Sequence, residues 1–303
     1  MELLRTPEDR FADLPDFPWQ PAYVEVPAGP GDETAVRVAV VDEGPRDAPV
    51  VLALHGEPSW SFLYRRVAAR LLQRGLRVVV PDLVGFGRSD KPAEITDHTY
   101  GAHLGWLRAT LDALELRRVV LLCQDWGGLL GLPLVAEDPG RFAGVVAANT
   151  GLPDGSLRMP PEWQAFRDFV ERSEDLPVGW LVSRAVALPM DPRVQAAYDA
   201  PFPSPEFKAG PRAMPGLIPQ SPDMPQAVEN VAAWDSLRRY TAPFVTAFSD
   251  GDPITRGADG LFQARVPGAA GQPHVILAGG GHFLQEDVPG PLADVVADLV
   301  DRL

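Results

Sequence analysis

One aspartate in this chain stands where a nucleophile could be held. The apolar residues 119–122 lead directly into Cys123-Gln124-Asp125-Trp126-Gly127. A carboxylate is ionised at neutral pH and can attack a carbon atom without help from a base. Small residues lie two positions before and two positions after Asp125, as a tight turn between a strand and a helix requires. The alternative is that Asp125 only caps the helix that follows it.

Two further segments contain an acid and a base that would complete a catalytic triad. Asp250 and Asp252 follow the apolar residues 244–248, and His282 follows the last strand-like run. The order nucleophile, acid, histidine along the chain is that of the α/β hydrolases. We therefore expect His282 to be the base and Asp252 the acid that orients it. Asp250 is the alternative acid on the same loop.

The segment His55-Gly56-Glu57-Pro58 follows the apolar residues 50–54. In α/β hydrolases the loop at this place donates a backbone N–H to the oxyanion hole. We expect the backbone N–H groups of Glu57 and Trp126 to form that hole. We also predict a cis Glu57–Pro58 bond, which would aim the Glu57 N–H into the site, although only about 5–6% of X–Pro bonds in folded proteins are cis. The chain contains no Gly-x-Ser-x-Gly, so a serine nucleophile has no place.

The elements that must position these residues are visible as alternating patterns. Several of the apolar runs lack polar alternation, as expected of parallel strands that are covered on both faces. Strands alternating with helices predict a doubly wound α/β sheet of the α/β-hydrolase type. The predicted strands are residues 36–41, 50–54, 78–80, 119–122, 145–148, 244–248 and 275–277, and the predicted helices include residues 61–72, 103–114 and 128–136.

This alternation stops after Asn149. Residues 151–225 are rich in Pro, Trp and Phe and show short helical patterns but no convincing strand. We therefore predict a core domain made of residues 1–150 and 228–303, with a helical cap inserted at residues 151–227.

Composition limits the possible partners. The 303 residues carry a formal net charge of −14, which argues against nucleic acid or an anionic membrane surface. No run of about 18 apolar residues occurs, and the first residues lack the apolar core of a secretory signal. Cys123 is the single cysteine, which excludes an intrachain disulfide and fits a reducing compartment. We expect a cytoplasmic monomer or weak homo-oligomer without a metal or other cofactor.

Taken together, these motifs resemble those of the haloalkane dehalogenases, and the similarity extends over essentially the whole chain. The resemblance implies that Asp125 displaces halide from carbon and forms an alkyl ester, which water activated by His282 and Asp252 then hydrolyses. The implied partners are a small apolar halogenated substrate and a halide ion. The matching segments are residues 5–7, 55–60, 81–92, 124–128, 197–203 and 281–286.

The resemblance also implies how the halide is held. Glu57 matches the subfamily that binds halide with two tryptophans, of which Trp126 would be one. In the cap of that family a Phe precedes the second Trp by three residues, whereas this sequence has Trp163 first and Phe166 second. Residues three apart share a helix face, so Trp163 could be the second donor, with ordinary cap packing as the alternative. We expect Phe166 and Phe169 to line the substrate pocket.

Two other functions compete with this interpretation. An epoxide hydrolase also uses an Asp nucleophile but opens its substrate with cap tyrosine hydroxyls, and Tyr198 and Tyr240 are the only tyrosines after Asp125. A binding protein of the same fold without chemistry is the second alternative. The presence of Asp125, Asp252 and His282 argues against it.

Overall fold

The computed structural model describes residues 1–32 and 34–303. Its described part contains ten strands and eleven α-helices, joined by loops and short 3₁₀ turns. The strands are β1 (Leu3–Leu4), β2 (Ala22–Pro27), β3 (Ala35–Glu43), β4 (Val50–Leu54), β5 (Arg77–Pro81), β6 (Lys91–Pro92), β7 (Val119–Gln124), β8 (Phe142–Ala148), β9 (Phe244–Ser249) and β10 (Val275–Leu277). The helices are α1 (Arg65–Gln73), α2 (Tyr100–Ala113), α3 (Trp126–Glu137), α4 (Pro161–Arg172), α5 (Val178–Arg184), α6 (Pro192–Asp199), α7 (Ala209–Ala213), α8 (Pro225–Leu237), α9 (Ala258–Arg265), α10 (Leu284–Asp287) and α11 (Pro289–Val300).

Eight strands form one sheet in the order β10-β9-β8-β7-β4-β5-β3-β2. Neighbours from β10 to β5 are parallel, while β3 and β2 are antiparallel to their neighbours. β1 and β6 form a separate antiparallel pair. This mostly parallel sheet, with helices between its strands, confirms the predicted α/β-hydrolase fold.

The central strand β7 is buried along its whole length. It pairs with β4 on one side, where Leu52 lies opposite Leu121, and with β8 on the other, where Val145 lies opposite Leu121. Two groups of helices cover the sheet: α1 packs against α11, and α3 packs against α2 and α8. Because both faces of β7 are covered, its sequence is apolar without alternation.

The chain places β5 on one side of β4 and β7 on the other. The order of the strands therefore reverses between β4 and β7, and the carboxyl ends of the strands leave a crevice at such a point. The segments that carry the candidate catalytic residues follow the ends of β4, β7 and β9, and His282 follows β10. The topology thus gathers at one edge of the sheet residues that are far apart in sequence.

Every regular element between β8 and β9 in the described chain is a helix. Proline occupies the first position of α4, α6 and α8, where its missing N–H costs no hydrogen bond. This explains part of the high proline content of the segment. Helix α8 begins at Pro225 and packs against α3, so the boundary expected after residue 227 falls inside this helix.

All seven predicted strands occur in the structure. The edge strand β2 was missed because it is mostly exposed and its sequence carries no continuous apolar run. Among the described residues, no helix combines the length and the hydrophobicity needed to cross a membrane.

Candidate active site

Asp125 sits on a sharp turn between β7 and α3. Its backbone has φ 50° and ψ −123°, a conformation that residues with side chains seldom adopt and that is found at strained functional sites. A Cβ atom at Gly127 would lie 2.0 Å from the carbonyl oxygen of Leu54, so only glycine fits the predicted small position. The turn is held by Asn149, whose carbonyl accepts from the Asp125 N–H at 3.0 Å, and by Thr150, whose hydroxyl donates to the Asp125 carbonyl at 2.8 Å.

The loop after β4 approaches the carboxylate of Asp125 directly. The backbone N–H of Glu57 donates to Oδ1 of Asp125 at 2.8 Å. A Cβ atom at Gly56 would lie 2.5 Å from the same carboxylate, so glycine permits the approach. Trp126 is the first residue of α3, and the first N–H groups of a helix have no acceptor within it. The Glu57–Pro58 peptide bond is cis, as predicted.

His282 lies between two carboxylates. Its Nδ1 is 3.0 Å from Oδ2 of Asp252, and its Nε2 is 3.6 Å from Oδ2 of Asp125. Asp250 instead accepts the N–H of Gly279 at 2.9 Å. The structure thus brings together the three residues expected for the triad and leaves the alternative acid outside it.

The two members of the buried His282–Asp252 pair influence each other's protonation. Burial alone would raise the pKa of Asp252, but the neighbouring imidazole, the Thr255 hydroxyl and the Ile254 N–H lower it to about 2. Burial alone would lower the pKa of His282, but the carboxylates of Asp252 and Asp125 outweigh it and raise the pKa to about 10. The ring is therefore held as a cation while both carboxylates are charged.

Sequence reasoning did not identify Gln124. This side chain is fully buried, with its Nε2 3.1 Å from Nε2 of His282 and 3.2 Å from the His282 carbonyl oxygen. Its Oε1 is buried and has no hydrogen-bond partner in the part of the chain that the structure describes. The available signal was a polar residue closing an otherwise wholly apolar strand.

Asn149 was also missed as a functional residue. Its amide donates to the Ser249 hydroxyl at 2.8 Å and to the carbonyls of Gly281 and His282 at 2.9 and 3.0 Å. Its side-chain oxygen accepts the Ser249 N–H at 2.8 Å. One residue at the end of β8 therefore connects the loops that carry the acid and the base to the nucleophile turn.

A cavity of about 70 Å³ lies directly over Asp125. Its wall includes Trp126, Trp163, Phe166 and His282. Both tryptophans are almost completely buried. Neither indole N–H donates to a protein acceptor within the described residues. The cavity therefore presents two indoles beside the nucleophile, and Phe166 lies in the wall as expected.

Phe169 does not line this cavity, and its assignment to the substrate pocket is wrong. The side chain is 37% exposed and packs against Trp180 on the outside of the cap, with ring centroids 5.7 Å apart. Helix geometry explains the error, because position 170 lies about 20° around the helix from position 163, whereas position 169 lies about 120° away. Val170 is accordingly the buried residue.

The two tyrosines that would support epoxide opening lie elsewhere. The Tyr198 hydroxyl donates to Glu286, and the Tyr240 hydroxyl donates to the Phe142 carbonyl at 3.2 Å. No tyrosine among residues 1–32 and 34–303 lines this cavity or the larger one that adjoins it. The epoxide hydrolase alternative therefore lacks its acid.

The side chain of Glu57 also lines the cavity. Burial, and then the charge of Asp125, raise the pKa of Glu57 well above its usual range. The neutral form is therefore favoured, and Glu57 adds no negative charge where an anion would bind. In the described chain no group of three or more His, Cys, Asp or Glu residues is arranged to hold a metal ion.

Comparison with known proteins places this chain in a family. A family model described as the alpha/beta hydrolase fold matches residues 49–180. A haloalkane dehalogenase of Psychrobacter cryohalolentis is 46% identical over 300 residues, which cover 99% of this chain and 98% of that protein. A haloalkane dehalogenase of Mycobacterium marinum is 44% identical over 294 residues, or 97% of this chain and 98% of that protein.

The fold of a solved structure matches the fold of this protein along the whole chain. The tetrameric structure of the haloalkane dehalogenase DpaA from Paraglaciecola agarilytica NO2 superposes with a TM-score of 0.90 at 32% identity, and covers 100% of this chain and 99% of that one. The matched regions cover the nucleophile turn, the segment between β8 and β9, and the loops that carry Asp252 and His282. The chain therefore belongs to the haloalkane dehalogenase family of the α/β-hydrolase fold.

Proposed function

We propose that Asp125 is the nucleophile with which this enzyme hydrolyses carbon–halide bonds. The substrate places its halogenated carbon in the cavity over Asp125, and the carboxylate forms a C–O bond as the C–X bond breaks. The products of this step are an alkyl ester of Asp125 and a halide ion. The observation that carries the proposal is the carboxylate of Asp125 on a strained turn, with two indoles on one side and His282 on the other.

The halide leaves towards the two indoles. Trp126 and Trp163 line the cavity, and hydrogen bonds to charged groups contribute about 1.5–3 kcal/mol each. An anion that forms in a buried cavity without donors would be left poorly solvated. Two donors are therefore more favourable for the departing halide than one.

Water completes the reaction by attacking the ester carbonyl. Neutral His282 accepts a proton from this water, and Asp252 holds the ring through Nδ1. Negative charge develops on the carbonyl oxygen of the ester, and the N–H groups of Glu57 and Trp126 stabilise it. Collapse of the intermediate releases the alcohol and restores the Asp125 carboxylate.

The ester itself prepares His282 for this task. In the free enzyme the charges of Asp252 and Asp125 raise the pKa of His282 to about 10. Alkylation makes Asp125 neutral, which removes one of these two charges and lowers the pKa of the ring. The ring then loses its proton more readily and can act as the base. The same histidine is thus cationic before alkylation and available as a base after it.

The proposal also includes the cap, the cellular compartment and the oligomeric state. Residues 151–227 act as the cap that covers the cavity, and the enzyme works in the cytoplasm. We keep the expectation of a monomer or weak homo-oligomer, although the DpaA structure is described as tetrameric. Light scattering of the purified chain decides the oligomeric state.

The test of the nucleophile uses halide release from 1,2-dibromoethane. The unaltered chain releases bromide, and Asp125→Ala releases none, because no other group is placed to displace the halogen. A melting curve shows that Asp125→Ala is folded. Bromide release by the folded variant at the rate of the unaltered enzyme would rule out Asp125 as the nucleophile.

A further inference from the structure

A second cavity, of about 370 Å³, adjoins the one over Asp125. Both cavities are lined by Asp125, Trp163, Ile218 and Ile254, so the larger one opens directly onto the reacting atoms. Its volume falls in the range of about 300–1,000 Å³ that holds small ligands. The part of a substrate that lies beyond the halogenated carbon has its natural place here.

The wall of this larger cavity combines apolar and cationic side chains. Leu129, Leu152 and Phe262 contribute buried apolar surface. Three arginines also line it: Arg158 and Arg256 are exposed and Arg265 is half-buried. An apolar cavity whose wall also carries exposed guanidinium groups fits an alkyl chain with a polar terminus.

Of these arginines, Arg265 interacts with an acidic side chain: burial opposes the shift, but hydrogen bonds from Ser156 and then the charge of Arg265 lower the pKa of Asp154. Within the described residues, none of the three forms an ion pair. The guanidinium of Arg256 has only a long hydrogen bond, 3.4 Å, to the Asp250 carbonyl oxygen. The guanidinium of Arg265 lies over the ring of Trp234 at 5.2 Å, and Trp234 also lines the cavity.

One acidic residue lines the cavity besides the nucleophile. The Asp154 carboxylate accepts the backbone N–H of Ser156 at 3.0 Å as well as the Ser156 hydroxyl. Three guanidinium groups therefore share the wall with this one carboxylate, which is hydrogen-bonded to Ser156 and interacts with the charge of Arg265. The chain as a whole has a net charge of −14, so this is a local reversal of the overall field. Clefts lined by one sign of charge concentrate ligands of the opposite sign.

We infer that the enzyme acts on halogenated alkyl chains that end in an anionic group, which Arg158, Arg256 and Arg265 bind while the halogenated carbon lies over Asp125. This inference rests on the proposed function, because it assigns the reacting end of the substrate to Asp125. Guanidinium recognises carboxylate, sulfonate and phosphate by the same paired N–H donors. The class is therefore defined by the charge of the terminus and by an apolar spacer.

The test compares two substrates that differ in charge alone. In 6-bromohexanoate and 6-bromohexanamide the chain and the leaving group are the same, and longer homologues of both cover the spacing between the nucleophile and the arginines. We expect kcat/KM for the carboxylate to exceed that for the amide by about tenfold at low ionic strength, as a few partly exposed charge pairs allow. The ratio should fall towards one in about 0.5 M NaCl, where such pairs are screened.

The arginines are tested with Arg158→Gln/Arg256→Gln, since both side chains are exposed and their removal leaves the fold intact. In this double variant the carboxylate-to-amide ratio should fall to near one. Arg239→Gln is the matched control, because Arg239 is exposed but lies outside the cavity, and it should keep the ratio of the unaltered chain. Sulfonate and phosphonate analogues of the same chain show which anion is preferred.

The outcomes separate this inference from the proposed function. Release of bromide from either substrate requires the Asp125 chemistry, so its absence with both the amide and the carboxylate would contradict the proposed function. If the amide reacts and no chain length gives a preference for the carboxylate, the anionic substrate class is wrong. A preference that persists in the double variant would equally overturn the assignment to these arginines.

Discussion

At the scale of single residues, the charge on Asp125 controls the proton on His282. Both neighbouring carboxylates raise the pKa of His282, to about 10 in the free enzyme. In the ester intermediate only Asp252 remains charged, so the pKa of the ring lies below that value. The neutral ring that hydrolysis requires is therefore populated increasingly as pH rises towards the pKa of the intermediate.

The lower pKa of His282 in the ester gives a prediction about this intermediate. The rate of ester hydrolysis should rise with pH and then level off, so the alkylated enzyme should accumulate at acidic pH and disappear at alkaline pH. Mass spectrometry of samples quenched during turnover of a bromoalkane measures the alkylated fraction. An alkylated fraction that stayed constant, or that increased with pH, would contradict the role of His282 as base.

The second residue-scale prediction concerns Trp163. Trp163→Phe keeps the apolar wall but removes one indole donor from the cavity. Because a hydrogen bond to a charged group contributes about 1.5–3 kcal/mol, halide release from bromoalkanes should slow by about 10- to 100-fold. Trp180→Phe is the control, since Trp180 is 45% exposed on the outside of the cap. Equal activity in Trp163→Phe and the control would leave Trp126 as the single indole donor.

At the scale of elements, the strand ends determine the site. The strands and the nucleophile turn could be predicted because buried parallel strands have continuous apolar sequences and the turn tolerates only small neighbours. The position of Phe169 could not be predicted, because it depends on the rotation of α4 against the core. The roles of Gln124 and Asn149 were equally hidden, since their partners lie on loops that only the folded sheet brings together.

Asn149 gives the element-scale prediction. Asn149→Ala removes the amide that bonds to Ser249, Gly281 and His282, and leaves buried backbone groups without partners. We expect the free energy of unfolding to fall by about 2–4 kcal/mol, together with a loss of activity as the loops of Asp252 and His282 separate from Asp125. Denaturant titration measures the first effect. A change below about 0.5 kcal/mol would show that the loops hold their positions without this residue.

At the scale of the whole molecule, a buried charge pair of the core accepts a hydrogen bond from the proposed cap. Nη2 of Arg65 on α1 lies 2.9 Å from Oε2 of Glu286, and Tyr198 of the cap helix α6 donates to the same carboxylate. Close by, the indole of Trp60 donates to the Ala197 carbonyl at 3.2 Å, and the hydroxyl of Thr6 donates to the Pro201 carbonyl at 2.6 Å. Residues 197–203, which resemble a segment of the haloalkane dehalogenases, thus contact the core through these hydrogen bonds.

Breaking this pair should destabilise the molecule strongly. Arg65→Met leaves the Glu286 carboxylate buried without its partner, which costs about 3–5 kcal/mol of unfolding free energy. The matched control is Arg70→Met on the same helix α1. It removes a half-exposed ion pair with Asp294 of α11 and should cost less than about 1 kcal/mol. Thermal and denaturant unfolding of both variants measure the difference. Similar losses in the two would mean that the buried Arg65–Glu286 pair contributes no more to stability than a half-exposed one.

The covalent ester on Asp125 is the central claim, and one measurement tests it most directly. His282→Gln removes the base but leaves the nucleophile and the two indoles in place. After incubation with a bromoalkane, intact-mass spectrometry should show each chain heavier by one alkyl group, peptide mapping should locate the group on Asp125, and one bromide should be released per active site. A folded His282→Gln variant that stayed unmodified, or that carried the alkyl group on another residue, would contradict nucleophilic catalysis by Asp125.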